Sequence, residues 1–515
     1  MIPLRVINQG KMQNKHNYPV IDKVIAQEYS SDFDIPHELA QILAVRFPAY
    51  NEAKKFLFPE IKDLHDPWSI PDIAKAVDLI MASIKANEKI LVYCHDDPDG
   101  YTAAAVMYQS LIDITKGQHE RIFIYPIVRE RDGYILNPEV LREYREKGVR
   151  LVITVDFGIS SLENFKIASE LGLKIVVCDH HETTRSSFPS PAVDPKRPDS
   201  QYPFRELAGV GVSFKLAQCL YQKAFKLKAE EFYSLKKNFF PLLMLGTVSD
   251  RVALLDENRI FSSYGLTLFN KLDKPWMKFF RENKEDEIPV FPRELNSTIG
   301  SAAYVDPNFG VEVFLSNDFE RVSEIVGILQ GANKERQQGV EKLLRAAIAA
   351  AKIYPQAILS IIPFSKQHYL GSVAARLKEQ YKRTSIVIGL KENMCFGELR
   401  SDTIDLFKML SKLGPLFLDF GGHCRAAGFT MSESHLDKLT DDTITYLSND
   451  DMLDDSEKKL SLKAQPIFLF ERTKIGFLQP LTPFGEGNPA PLLTDGTNIY
   501  TIDNRLNIIE KELDG

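Results

Sequence analysis

KILVYCHDDPDG, residues 89–100, changes character halfway. KILVYC reads as a short buried strand, and HDDPDG breaks it with a turn rich in Asp, Pro and Gly. The next stretch, YTAAAVMYQSLIDI (101–114), has helical texture. Outward in both directions the alternation repeats. AKAVDLIMASIKAN (74–87) shows helical periodicity before the first strand. RIFIYPIV (121–128), VRLVITVD (149–156) and LKIVVCD (173–179) follow as further strands, with the helix LENFKIASELG (162–172) between the last two. Strands separated by helices predict β-α-β units and a parallel sheet covered on both faces.

Three of these strands run into acids or imidazoles. KILVYC leads to His95, Asp97 and Asp99; VRLVITV leads to Asp156; LKIVVC leads to Asp179, His180 and His181. Ligands of an open parallel sheet bind beyond the carboxyl ends of its strands, so all these groups project toward one crevice. Asp250, which closes the apolar run PLLMLGTVSD (241–250), is a fourth contributor. Carboxylates crowded at a sheet rim repel one another, and burial raises their pKa values. Divalent cations resolve that conflict. Mixed carboxylate and imidazole donors without thiolate suit Mn²⁺, with Mg²⁺ as the other candidate, and the set is large enough for two ions roughly 3.5–4 Å apart. Taken singly, an Asp after a strand is an ordinary helix cap and a lone His a structural residue. Three strand ends together point to a metal site.

Composition sets the frame. The 515 residues exceed one ordinary hydrophobic core and predict roughly three domains. With 44% hydrophobic and 26% charged residues the chain reads as globular. Its longest apolar runs, near 241–245 and 346–351, are far too short to span a bilayer. The N-terminus lacks an apolar core of signal-peptide length, so the cytoplasm is the expected location. Cysteines 94, 178, 219, 395 and 424 form no C-x-x-C pair, which leaves neither a zinc ribbon nor a disulfide framework. A net charge of −7 argues against a protein that merely coats nucleic acid, though a local basic groove is compatible with it.

The expected organisation is an N-terminal helical segment (1–65), a parallel-sheet α/β domain (66–315), a long connecting helix (316–352), a smaller α/β domain (353–447), and a linker with a short β-like tail (448–515). Gly327 and Gly331 weaken the connecting helix. In the second domain AILSII, TSIVIGL and MCFGELR read as strands, with GSVAARLKEQYK as a helix between the first two. GGHCRAAG (421–428) suits phosphate contact: Gly421 and Gly422 permit close backbone approach, and His423 and Arg425 supply donors. Arg400 and Ser401, at the end of a predicted strand, are similar candidates.

These residues resemble a known family. HDDPDG, Asp156, the Asp179-His180-His181 triplet and GTVSD are similar to the four ordered motifs of the DHH phosphoesterases. FGGHCRAAGF (420–429) resembles the signature of the DHH-associated C-terminal domain. GELRSDTIDL (397–406), DENR (256–259) and PFGEGNP (483–489) narrow the resemblance to the RecJ branch of single-strand-specific exonucleases. It implies Asp97, Asp99, Asp156, His180 and Asp250 as metal ligands, with His95 beside them. His181 would then take a supporting or leaving-group role, and Asp179 would orient the histidines.

The implied activity is 5′→3′ removal of mononucleotides from single-stranded DNA in repair and recombination. The enzyme would be a monomer without membrane contact, with a helicase or single-strand-binding protein as further partners. The chain also departs from the pattern. SAAYVDPN (301–308) stands where the branch reads N-A-A-G-R, and PFSKQHYLG (363–371) lacks an expected tryptophan and histidine. Only 26 residues follow Pro489, too few for the OB-fold that grips single strands in that branch. Two other readings compete: a phosphodiesterase of short oligonucleotides or cyclic dinucleotides, and a non-catalytic nucleic-acid-binding scaffold.

Overall fold

The computed structural model describes residues 21–132, 136–282, 292–363, 367–422, 424–448, 467–469, 475–494, 498–504 and 506–511. The chain divides into two compact units, one of residues 60–461 and one joining residues 1–59 to 462–515.

Within the larger unit the first sheet contains β1 (Lys89–Cys94), β2 (Ile122–Pro126), β3 (Val149–Val155), β4 (Lys174–Cys178) and β5 (Ala192–Val193). Their order is β2-β1-β3-β4-β5, with every pair parallel. Side chains on a strand alternate between faces, and here the alternation feeds two separate cores. Ile90, Val92 and Cys94 pack with the helices Ile73–Lys85, Pro98–Ile114 and Gly209–Phe225. Leu91 and Tyr93 face the opposite core, with Val140, Leu141 and Phe165. Burial on both faces explains why these strands read as unbroken apolar runs.

The order reverses between β1 and β3. At such a switch point the crossover helices leave on opposite faces, and a crevice opens beyond the strand ends. His95 follows β1 and Asp156 follows β3.

Phe319–Ala349 is one helix of 31 residues that runs on through Gly327 and Gly331. Its start is capped by Asp318, whose carboxylate accepts from the N–H groups of Glu320 and Arg321. A second sheet follows: β6 (Ala351–Ile353), β7 (Ala357–Pro363), β8 (Thr384–Lys391), β9 (Met394–Arg400), β10 (Asp419–Gly422) and β11 (Ala426–Ser432). Its order is β10-β11-β9-β8-β7-β6, and only β7 and β8 run parallel, joined by the helix Gln367–Tyr381. The expected strands AILSII, TSIVIGL and MCFGELR are β7, β8 and β9. Glu392 and Asn393 link β8 to β9 with φ of 49° and 67°, the left-handed pair of a tight hairpin. The described residues of the glycine-rich stretch pair antiparallel as β10 and β11, with Phe420 opposite Phe429 and Gly422 opposite Ala427.

The smaller unit contains the helices Lys23–Asp32, His37–Arg46 and Tyr50–Leu57, and the sheet β12 (Ile467–Leu469), β13 (Leu492–Thr494), β14 (Ile499–Ile502) and β15 (Ile508–Lys511). Inside it Arg46 donates to Asn488 Oδ1 at 2.8 Å, and Asn488 Nδ2 donates to the carbonyls of Leu481 and Pro483. The PFGEGNP loop is thereby tied to a helix some 440 positions earlier in the sequence.

Candidate metal centre

The turn after β1 is built by its own side chains. Asp97 caps the helix Pro98–Ile114 by accepting from the N–H of Gly100 at 2.9 Å, and Pro98 opens that helix where a missing N–H costs nothing. Gly100 cannot carry a side chain here, since a β-carbon would lie 2.4 Å from the carbonyl oxygen of His95. Asp99, 1% exposed, accepts from the N–H groups of Gly209 (2.6 Å) and Val210 (2.9 Å). These amides begin the helix Gly209–Phe225, and a helix N-terminus favours a carboxylate.

Asp156 follows β3 in the left-handed region, at φ 64°, which Asp tolerates better than most residues. Asp179 follows β4 and organises the residues after it. Its Oδ1 accepts from the N–H of His180 (2.7 Å) and from Nδ1 of His181 (2.7 Å), and its Oδ2 accepts from the N–H of Ile159 (2.9 Å). Asp250 ends the apolar helix Phe240–Ser249.

The strand-end residues meet. His180, fully buried, has Nε2 3.1 Å from Asp156 Oδ1 and 3.9 Å from Asp99 Oδ2, while its Nδ1 is 3.6 Å from Asp250 Oδ2. His95 Nδ1 lies 3.0 Å from Asp97 Oδ2 and 3.9 Å from Asp156 Oδ2. Three overlapping groups, each with donor atoms within 4.8 Å of one another, therefore form among the described residues: His95, Asp97 and Asp156; Asp99, His180 and Asp250; and Asp156, Asp179, His180 and His181.

Electrostatics separates these carboxyls into two kinds. Burial, reinforced by the charge of Asp97, pushes Asp99 up to about 7 despite its two backbone hydrogen bonds. Burial and the neighbouring acids raise Asp156 and Asp250 well above the carboxylate range. Burial works to raise Asp179 as well, but the charge and hydrogen bond of His181, then the charge of His180, outweigh it and hold Asp179 below the usual range. Crowded acids that resist ionising together, joined by imidazole and with no thiolate among them, fit hard divalent cations.

Two neighbours escaped the sequence reading. Asp194, fully buried after β5, accepts from the N–H of Lys196 at 2.7 Å, and burial followed by the charge of Asp179 raises its pKa. Lys196, 6% exposed, sets its ammonium 3.3 Å from Glu182 Oε1 and 3.8 Å from Glu206 Oε2. The only signal was AVDPKRP at 192–198, where a two-residue strand shows no periodicity.

Among the described residues, no candidate of the second sheet belongs to these three groups. Arg400 closes β9 with Nη1 2.9 Å from Glu398 Oε2. Ser401 is buried; its hydroxyl meets that of Thr384 at 2.8 Å and accepts from the N–H groups of Thr403 and Ile404. Gly421 is exposed with open space at its β-position, whereas Gly422, at φ 132°, has none. Arg425 donates to the carbonyl of Asp402. His423 lies outside the described residues.

Known proteins share this architecture. Residues 89–247 match the DHH family, N-terminal domain, and residues 356–449 match the DHHA1 domain. The single-stranded-DNA-specific exonuclease RecJ of Haemophilus influenzae is 30% identical over 402 residues, which are 73% of this chain and 69% of that protein. Its counterpart in Bacillus subtilis is 30% identical over 511 residues, 94% of this chain but only 61% of the relative's length. The crystal structure of RecJ from Thermus thermophilus in complex with Mn²⁺ superposes with a TM-score of 0.75 at 22% identity, covering 96% of this chain and 72% of that one.

Proposed function

This chain belongs to the family of RecJ single-stranded-DNA-specific exonucleases, and we propose that it is a cation-dependent hydrolase releasing mononucleotides from the 5′ end of single-stranded DNA. One observation carries the reading: carboxyls and imidazoles from three strand ends and one helix end converge at the switch point, with Asp99, Asp156 and Asp250 held above their ordinary pKa values. His95, Asp97, Asp99, Asp156, His180 and Asp250 would hold two divalent ions, Mn²⁺ in preference to Mg²⁺. Such ions supply Lewis acidity that neutralises charge developing on the phosphate oxygens.

The protein's own share is position and proton handling. Asp99 is anchored by Gly209 and Val210, so the cluster keeps its spacing before substrate arrives. Asp179 orients His181 through the 2.7 Å contact to Nδ1, and His181 would pass a proton to the leaving oxygen. Arg400, Ser401, Gly421, Gly422, His423 and Arg425 would contact the strand from the second domain. No helix among the described residues is long and apolar enough to cross a membrane. A cytoplasmic monomer acting in repair and recombination, beside a helicase or single-strand-binding protein, belongs to the same reading.

The test uses 3′-labelled single-stranded DNA with Mn²⁺, matched strands blocked at either end, and an Asp156→Ala control. A ladder shortening from the 5′ end, stopped by the 5′ block and by the substitution, is the expected result. Cleavage of dinucleotides alone would transfer the assignment to a short-substrate phosphodiesterase. Binding of DNA without any hydrolysis would make the chain a scaffold.

A further inference from the structure

A path of contacts leads from the HDDPDG turn to the second sheet. Gly300 abuts the turn, since a β-carbon on it would sit 3.5 Å from Cγ and Cδ of Pro98, between Asp97 and Asp99. Three residues earlier, Ser297 Oγ accepts from Nδ2 of Asn333 at 2.9 Å, which brings in the helix Phe319–Ala349. Asn333 Oδ1 accepts from Nη2 of Arg336 at 3.0 Å, and Nη1 of Arg336 donates to Ser372 Oγ at 3.3 Å. Ser372 adjoins Gly371, where a β-carbon would fall 2.7 Å from Nη2 of Arg400. Along this path Arg336 comes between the turn bearing Asp97 and Asp99 and the guanidinium of Arg400.

Arg336 differs from three other arginines in the partners that hold it. Arg321, Arg376 and Arg400 each pair with a glutamate. Arg336 is partly buried, and its partners among the described residues, an amide oxygen and a hydroxyl, are both neutral. A guanidinium carries five donors and a permanent charge. Neutral acceptors fix its orientation without cancelling that charge. A guanidinium held in this way suits a phosphate, which takes parallel N–H donors from its planar fork.

We propose that Arg336 binds a backbone phosphate of the substrate strand between the carboxylate cluster and Arg400, with Asn333 and Ser372 as its positioning residues. The proposal rests on the reading that the substrate is single-stranded nucleic acid. It assigns the middle of the connecting helix a part in gripping the strand.

The experiment compares wild type with Arg336→Gln, Arg336→Lys and a control on the same helix, Arg345→Gln, whose side chain is exposed beside Glu341. Cleavage of single-stranded DNA is followed by steady-state kinetics, and binding of a 3′-fluorescent oligodeoxynucleotide is titrated across a salt series. Arg336→Gln should raise KM about tenfold with kcat nearly unchanged, and should flatten the slope of log Kd against log salt by about 0.7, the share of one single-strand phosphate contact. Arg336→Lys should recover the slope but only part of the affinity, because an ammonium lacks the fork. Arg345→Gln should match wild type.

Wild type that cuts single strands while Arg336→Gln keeps the same KM and salt slope would overturn the assignment alone. A lower melting temperature for Arg336→Gln with an unchanged salt slope would also overturn it, in favour of a purely structural residue. Wild type that neither binds nor cuts single strands would overturn the functional reading, and the assignment with it.

Discussion

Gly209 stands directly against Asp156: a β-carbon built on the glycine would lie 2.5 Å from Oδ1 of the aspartate and 2.6 Å from its Cβ. The same glycine donates its N–H to Asp99 at 2.6 Å. One residue thus sets the spacing of carboxyls from two strand ends, and it does so by having no side chain. Gly246 repeats the device, since a β-carbon there would fall 2.5 Å from Asp99 Oδ1.

Gly209→Ala should therefore displace the Asp156 carboxyl while the fold persists. A shift on the order of 1 Å at a reacting centre costs about 100-fold in rate. Nuclease assays alongside circular dichroism check this. A variant with normal kcat would show that the cluster tolerates displacement.

Asp156→Asn should abolish cleavage yet stabilise the protein in EDTA by about 1 kcal/mol, because it removes one of several mutually repelling buried acids. Adding Mn²⁺ should reverse the order, raising the melting temperature of wild type by mass action and leaving the variant unmoved. Thermal scans with and without Mn²⁺ read both effects. Equal shifts in the two proteins would remove Asp156 from the metal site.

Asp179→Asn should lower kcat about 10- to 100-fold with Mn²⁺ affinity little changed if, as proposed, the carboxylate in contact with Nδ1 of His181 serves to orient that ring. Calorimetric Mn²⁺ titration and steady-state kinetics separate the two quantities. Loss of Mn²⁺ binding would instead make Asp179 a ligand.

Asp72 and Arg197 form an ion pair at 2.6 Å that ties the start of the helix Ile73–Lys85 to the segment after β5. Burial works to raise Asp72, but hydrogen bonds from Lys75 and Arg197 outweigh it and the carboxyl sits below its ordinary value. A depressed carboxyl adds stability above its unfolded pKa and loses it as pH falls through the folded one. Arg197→Gln should cost about 3 kcal/mol at pH 7, and the gap to wild type should close below about pH 4. Urea titrations across that range measure it. A gap independent of pH would mean the arginine acts through packing alone.

Much of the architecture was legible in the chain itself. The strands of the first sheet showed as apolar runs because both faces are covered, and their terminal acids stood out because a charge after such a run interrupts a local pattern. The long helix was visible through its periodicity, although Gly327 and Gly331 suggested a break. Both glycines have open space at the β-position, so they cost helix propensity without disturbing any packing, and the helix runs through them.

What the sequence by itself determined was the succession of strands and helices and the kinds of donor at each strand end, because both depend on neighbours a few positions apart. Only the tertiary structure decided which donors meet. Asp99 finds its amides at Gly209 and Val210, Asp250 reaches His180, and Asp194 is buried beside Asp179 after a strand too short to announce itself. The middle of the connecting helix likewise acquires its contacts at Ser297 and Ser372 only on folding. These contacts join residues far apart in the chain, and close packing, where a single β-carbon is enough to separate two carboxyls, is a property that appears only once those segments are brought together.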